Sequence, residues 1–437
     1  KMTVQLKGED SACVTCHRTV TPGIVKSWEL SQHSDAGIEC ATCHTAKAND
    51  PSAFSHSGGV VITSVPSPKY CADCHLKAVE ENSRTKHAWG AFLGNFKPYY
   101  TAAKKDGLDP LKQETAKKLD PEKMAKTAVS PLFPESSILK KIGLLDDPSF
   151  NHTNVTLGCI ACHGSFVIAD GQTLKGWPNT GVGRINPDGS LGSCTACHTR
   201  HAFSKAEARK PETCGQCHLG PDHPQMEIYE ESKHGNIYAA SGDGWNWDKP
   251  VNQWGPEDIQ APTCATCHMS GFGSVKSTHD VGSRLYWELQ PAKSVPQWKS
   301  PDTGSDFVLK PEPDEAKAQE NRMTMVAVCS ECHSSNWVSG YFNEFDRTVS
   351  DYNKVWDYTD NLLKTAYTEG LISKDLPLDE TPEIMHYLIW HHDGRRWRMG
   401  ASMMGPDYTH WNGAVDAIMN KLGTLINDIE MRRRLLK

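Results

Sequence analysis

The chain has 437 residues, a formal net charge of −7 and 38% apolar residues. That length allows two or three ordinary domains, but the apolar share is too low for each to carry a full side-chain core of its own. The negative balance, with no run of lysine and arginine, excludes a nucleic-acid binder, and no apolar stretch approaches the roughly 20 residues of a membrane span.

A pentapeptide, Cys-x-x-Cys-His, dominates the chain from its start. It begins at Cys13, Cys16 and His17 and returns at Cys40/Cys43/His44, Cys71/Cys74/His75, Cys159/Cys162/His163, Cys194/Cys197/His198, Cys214/Cys217/His218, Cys264/Cys267/His268 and Cys329/Cys332/His333. These eight copies use all 16 cysteines. The motif is that of c-type haem attachment. Two thiols form thioethers to one porphyrin edge, and the histidine that follows ligates the iron. A disulfide scaffold would not place histidine after every second cysteine, and structural zinc would need cysteines in paired groups. The sequence therefore implies eight covalently attached c-type haems. The porphyrins supply the missing apolar mass, so the expected fold is mainly α, a multihaem cytochrome c with a haem-packed core, little strand and long C-terminal helices.

Residues 1–150 form an N-terminal three-haem region with an insertion. The motifs sit in short helices, as in Cys71-Ala-Asp-Cys-His-Leu-Lys-Ala-Val-Glu-Glu. Residues 91–150 lack cysteine and read as a surface excursion, or else as an insertion that shapes a channel or a subunit contact; helical patches are expected at 109–118 and 136–145. Residues 151–335 form a five-haem catalytic region. Its stretch 164–193, with Trp177, Pro178, Asn179, Arg184, Asn186, Pro187 and Asp188, is rich in Gly, Asn and Pro and reads as loop. Residues 286–325, Pro-rich and charged, read as loop too. In the C-terminal region, 336–437, helices are expected over 351–371, 382–398 and 408–436 from apolar residues at three- and four-residue steps. Val415, Ile418, Met419, Leu422, Leu425, Ile426 and Ile429 make one stripe in the last, suited to packing within or between subunits. Arg432, Arg433 and Arg434 sit where cations suit a helix C-terminus.

Of 20 histidines, the eight in the motifs are proximal ligands and twelve remain. A low-spin electron-carrying haem takes a second axial ligand, whereas a haem that performs chemistry keeps that position open. His33, His56, His201, His234 and His279 each follow a motif at short range and are the first candidates. His87 or His152, and one of His391 and His392, come next, with His392 taken for the ligand set. Seven distal ligands would leave one open iron.

Past the sixth motif stands Gly220-Pro221-Asp222-His223. A carboxylate beside an imidazole gives two adjoining proton carriers, and small nitrogen compounds exchange protons together with electrons. The alternative is a turn at Asp222 with His223 as another ligand. Farther on, Trp390-His391-His392-Asp393-Gly394-Arg395-Arg396 is dense in ligands and cations; Arg395 and Arg396 can pair with haem propionates or draw anions such as nitrite. Tyr408 lies in Met403-Met404-Gly405-Pro406-Asp407-Tyr408 and is either a further site residue or a packed aromatic.

The eight motifs with a close fifth and sixth, Cys197-His198-Thr199-Arg200-His201, the Asp222-His223 pair, Ser232-Lys233-His234-Gly235 and Ala261-Pro262-Thr263-Cys264 together resemble the hydroxylamine oxidoreductase family of octahaem cytochromes c. The resemblance runs from the first motif to the final helix. It implies that the haem on Cys159, Cys162 and His163 is catalytic and lacks a distal protein ligand, that Asp222 and His223 line its pocket, and that the other seven haems are bis-His relays. It also implies a homotrimer and, in oxidative members, a tyrosine from a neighbouring subunit joined to the catalytic haem, at the position near Tyr408. The chain departs from the oxidative pattern in the flanks of Tyr408, in the length of the 164–193 loop, and in Gln290 where that enzyme carries a further tyrosine, with Tyr286 close by. Its Met-Met-Gly-Pro-Asp-Tyr and Asn186-Pro187-Asp188-Gly189 segments look more like relatives thought to work reductively.

The expected function is reduction of nitrite or hydroxylamine at one open haem, served by a small redox partner such as a cytochrome c or a quinol-linked cytochrome. Oxidation of hydroxylamine or hydrazine is the alternative within the family. A pure electron carrier with every haem bis-His is the alternative outside it; a tetrathionate-type octahaem reductase is disfavoured by the missing lysine-ligated motif. Haem attachment to this motif takes place after export and no leader is visible, so the sequence is expected to be a mature form whose leader was removed, with the periplasm or another extracytoplasmic compartment as its address.

Overall fold

A computed structural model describes residues 9–93, 96–127, 135–144, 147, 153–297 and 314–436. The fold is mainly α. Among the described residues the strands make only three two-stranded antiparallel hairpins: Phe54–Ser55 with Val61–Ile62, Ile168–Asp170 with Thr173–Lys175, and Trp287–Glu288 with Val295–Pro296. No helix among them is long and apolar enough to cross a membrane.

The motifs sit in or at the ends of short helices, because the haem-bearing thiols must lie one helical turn apart. Glu9–Val20 carries the first, Cys40–His44 is the second, and Pro68–Ser83 carries the third. Thr153–His163 ends on the fourth. Cys264–His268 opens at Thr263, whose hydroxyl and that of Thr266 cap each other's backbone N–H in a capping box. Its far end is closed by Arg284, a buried guanidinium that donates to the carbonyls of Thr266, Cys267, Ser270 and Lys276. The Thr266 and Cys267 carbonyls would otherwise be orphans at the helix terminus.

The segment after residue 91 is not a surface excursion. Ala91, Phe92, Phe96, Tyr99, Tyr100 and Ala116 form a buried cluster with Trp89, Phe166, Ile185 and Leu191. The Gln113 side chain bonds the backbone of Val167 and Ala169 like an added strand. Two stretches that look like loops in sequence thus bury each other. Helices Gln113–Leu119 and Glu135–Lys141 match the expected patches. Within 164–193 the Ile168–Lys175 hairpin stands out from loop, and Asn179, Arg184 and Asn186 are buried. The 286–325 stretch is also not loop throughout: it holds the third hairpin, and helix Glu315–Ser330 starts inside it, capped by Asp314.

The C-terminal helices begin earlier than the apolar pattern suggests. Ser335–Thr368 is a single helix of 34 residues, its first turn capped by Ser334. Its buried residues, Val338, Phe345, Val349, Tyr352, Trp356, Thr359, Leu363 and Ala366, recur in steps of seven, four and three. That heptad-like stripe packs on Ile389, Leu422, Leu425 and Ile429. The last segment runs as Pro406–Thr409, a π-helix over His410–Leu422, and Gly423–Leu435. The wider π turn shifts the register, so the expected stripe splits. Leu422, Leu425 and Ile429 are buried, while Ile418 and Met419 are exposed.

Candidate active site

Two imidazoles that each bind one metal at about 2 Å place their ring centroids about 6 Å apart. Six motif histidines face another histidine at this spacing. His17 faces His56 at 6.1 Å, His44 faces His201 at 6.1 Å, and His75 faces His33 at 6.1 Å. His198 faces His279 at 6.4 Å, His218 faces His87 at 5.9 Å, and His333 faces His234 at 6.2 Å. None of these partners belongs to the motif just before it in sequence. The reason is geometric: a proximal histidine holds one face of the porphyrin, and the few residues after it cannot round the ring edge to the other face.

The motif histidines are also set up as ligands. Nδ1 of His17 lies 2.6 Å from the Thr21 hydroxyl, that of His44 2.8 Å from the Thr63 carbonyl, and that of His163 3.1 Å from the Gly90 carbonyl. A carbonyl accepts only from N–H, so in His44 and His163 Nε2 keeps the lone pair a metal needs. A cavity of about 2640 Å³ is lined by at least one cysteine of every motif from the second to the eighth. Ordinary ligand pockets hold about 300–1,000 Å³, so this space suits several porphyrins in contact. Thiols of different motifs lie within hydrogen-bond reach of one another: Cys71 with Cys194, Cys162 with Cys217, Cys214 with Cys264. The residues present fit c-type haem.

Among the described residues no histidine ring faces His163 or His268 at that spacing; the groups whose charges reach His163 are Asp222 and His223, whereas those reaching His268 are Arg284 and His218. The fourth motif is held by close backbone contact. A Cβ on Gly183 would lie 2.6 Å from the His163 carbonyl oxygen and from the backbone nitrogens of Gly90 and Ala91.

Asp222 and His223 line the same cavity. The Asp222 carboxylate accepts from His223 Nδ1, and His223 Nε2 donates to the Cys217 carbonyl at 2.9 Å. Both ring nitrogens are therefore occupied, which makes His87, not His223, the partner suited to His218, although the His223 ring is also 6.2 Å from it. Since the carbonyl must receive an N–H, the Asp222–His223 pair shares at least one further proton. Burial alone would push the Asp222 carboxyl up, but the His223 hydrogen bond and the neighbouring cations outweigh it and hold it down at about 2. Burial pulls His223 down, and Asp222 more than reverses this, so its pKa is raised.

The second wall comes from the C-terminal region. A π-helical turn over Ile389–Asp393 leads into helix Gly394–Met403, and π turns recur at functional sites. It brings Arg395 Nη1 to 3.3 Å from Asp222 and to 3.3 Å from His391 Nε2, while Arg395 Nε donates to the Gln290 carbonyl at 2.8 Å. Burial and the Arg395 charge push His391 down to about 3, so it is neutral near pH 7. Arg396 donates to the Pro221 carbonyl and pairs with buried Asp393. Sequence reading singled out this stretch for its cations but not its contact with Asp222, for which a separation of 173 residues leaves no local signal.

Other expected positions fall elsewhere. The His392 ring lies against Tyr387 and His391, with no motif histidine among its ring contacts in the described residues, so the geometry does not give it the place of an axial ligand. His152 lies outside the described residues. Tyr408 is not among the residues lining the cavity; its backbone N–H donates at 3.1 Å to Glu231, which ends the Gln225–Glu231 helix.

The family of seven-times multi-haem CxxCH cytochromes matches residues 189–376. A probable nitrite reductase–hydroxylamine oxidoreductase fusion protein of Kuenenia stuttgartiensis is 27% identical over 402 residues, covering 84% of this chain. The chain spans 39% of that relative's length. The polyhaem cytochrome OmcB of Geobacter sulfurreducens is 38% identical over 88 residues, 18% of this chain and 11% of that protein. A solved multihaem protein described as hypothetical shares 27% identity with a TM-score of 0.75, over 99% of this chain and 95% of its own. A Kuenenia stuttgartiensis complex described as a reducing HAO-like protein has the same fold, at 20% identity and TM-score 0.63, over 98% of this chain and 86% of its own. The motifs, the histidine pairs and these likenesses support binding of several c-type haems, in a chain similar to a probable redox enzyme of nitrogen compounds.

Proposed function

We propose that this cytochrome carries eight c-type haems and reduces nitrite or hydroxylamine at the one on Cys159, Cys162 and His163. The observation that carries the reading is that, of the two motif histidines with no facing histidine among the described residues, His163 and His268, only His163 has Asp222 and His223 nearby. The name of the Kuenenia fusion protein supports the substrate class. Cys159, Cys162 and His163 would hold the haem, whose iron would supply a site for the nitrogen atom and the electrons for its reduction.

The chain's own residues do the rest. Gly90 fixes the tautomer of His163 through its carbonyl. Arg395, anchored on Gln290, braces the Asp222 carboxylate. Asp222 keeps His223 protonated, and His223 stores a proton on the cavity wall for the nitrogen or oxygen that gains electrons. The motifs that share one cavity would hold their haems close to one another, which suits electron passage along the chain from a small cytochrome donor. The departures around Tyr408 favour reduction, with no tyrosine cross-link, over oxidation of hydroxylamine or hydrazine. Exposed Trp411 and Met419 in the C-terminal helical segment that follows Tyr408 support a contact between copies in a homotrimer. Covalent haem attachment supports an extracytoplasmic address.

The test uses the oxidised holoprotein. EPR should show one haem without a second strong-field ligand, and that haem alone should respond to nitrite and hydroxylamine. Viologen-driven consumption of both should follow. Low-spin signals from every haem, unmoved by either compound, would leave an electron carrier.

A further inference from the structure

Outside the histidine pairs, Arg395 is a charged group facing the cavity with spare donor capacity beside the Asp222–His223 pair. Its side chain is only 11% exposed, yet it lines the cavity together with Asp222, His223 and His391. Among the described residues its hydrogen bonds use Nε, to Gln290, and Nη1, to Asp222 and His391. That leaves the Nη2 edge of a planar fork without a protein acceptor. The guanidinium also rests 5.0 Å from the centre of the Trp390 ring, which fixes its plane. A guanidinium is charged at any working pH and offers parallel N–H groups matched to two oxygens on one centre. Bracing Asp222 needs only one of its nitrogens.

We infer that Arg395 is a specificity-determining residue that selects a small oxyanion of nitrogen over a neutral amine at the Asp222–His223 site. This rests on the proposed open haem and names which of its substrates the protein wall recognises. The anion would meet Nη2 with an oxygen while its nitrogen faces the fourth motif. Hydroxylamine, uncharged near neutral pH, gains little from the same contact. A low-exposure site makes the difference larger, because water screens the guanidinium poorly there.

The experiment is an optical titration of the oxidised holoprotein with nitrite and, separately, with hydroxylamine, on the wild type, Arg395→Gln and Arg395→Lys, backed by KM and kcat for both. In Arg395→Gln the Kd and KM for nitrite should rise about tenfold to a hundredfold, the loss of one charged hydrogen bond. Those for hydroxylamine should move less than threefold, while kcat falls for both as Asp222 loses its brace. Arg395→Lys should recover part of the nitrite affinity. Equal weakening for both ligands would overturn the inference and make Arg395 a propionate partner or a packing group. Its failure stays distinct from that of the open haem: a wild type that binds neither compound removes the site, whereas one that binds both with no discrimination by Arg395 removes only this assignment.

Discussion

Asp222→Asn isolates the proton-carrying part of the site. The carboxylate sits between two cations, accepting from His223 Nδ1 on one oxygen and from Arg395 at 3.3 Å on the other. Asparagine keeps one acceptor for Nδ1 but turns an NH₂ toward Arg395, donor against donor. A hydrogen bond to a charged group contributes about 1.5–3 kcal/mol, so turnover should fall about tenfold to 150-fold at 1.4 kcal/mol per decade. The pH response gives a second handle. Asp222, held at about 2, is ionised throughout the working range, and it raises His223 above its usual 6.5. In the wild type the protonated donor persists below that raised value and is lost as pH climbs through it. Without the carboxylate the same fall in activity should begin at lower pH. Steady-state reduction of hydroxylamine by reduced viologen from pH 5 to 9, with the low-spin optical spectrum as a control for haem loading, measures both. A kcat within twofold of wild type, or an unmoved alkaline limb, would refute the assigned role.

Three further outcomes follow from the same geometry. His201→Ala removes the ring facing His44 at 6.1 Å and should convert one bis-His EPR signal to high spin; His392→Ala, lacking a motif partner, should convert none. Mass spectrometry of the peptide carrying Cys159 and Cys162 should find haem and no Tyr408 adduct, whereas a cross-link would reverse the proposed direction of the reaction. Ile429 is 0% exposed in the packing of the C-terminal helices on Ser335–Thr368, so Ile429→Ala should cost about 2–5 kcal/mol. That shows as a lower thermal midpoint with unchanged haem spectra at room temperature.

Attachment was legible because it is local. Two thiols and the next imidazole act on one porphyrin from within five residues, so the eight motifs and a haem-bearing, mainly α body could be read from the string alone. Asp222 and His223 were legible for the same reason: they are neighbours in sequence and their hydrogen bond needs no other element. Helix existence in the C-terminal third was legible from periodicity, but a π-helical register defeated the apolar stripe past Val415, since its period assumes 3.6 residues per turn.

Axial pairing is a different kind of fact. A second imidazole would have to reach the far face of a flat ring, and the histidine facing each motif does come from a remote segment: His201 to His44, His279 to His198, His234 to His333. Proximity in sequence marks these histidines as ligands and misleads about which site they serve. The brace of Arg395 on Asp222 and the burial of the 91–120 segment under the 164–193 loop are likewise through-space events. Sequence determined how many haems the chain can hold and where each is tethered; only tertiary structure decided which histidines face each other and that His163 has a proton-bearing pair beside it. A covalent tether is set by a few bonds along the backbone, whereas an axial position is set by whatever the folded chain brings across the ring.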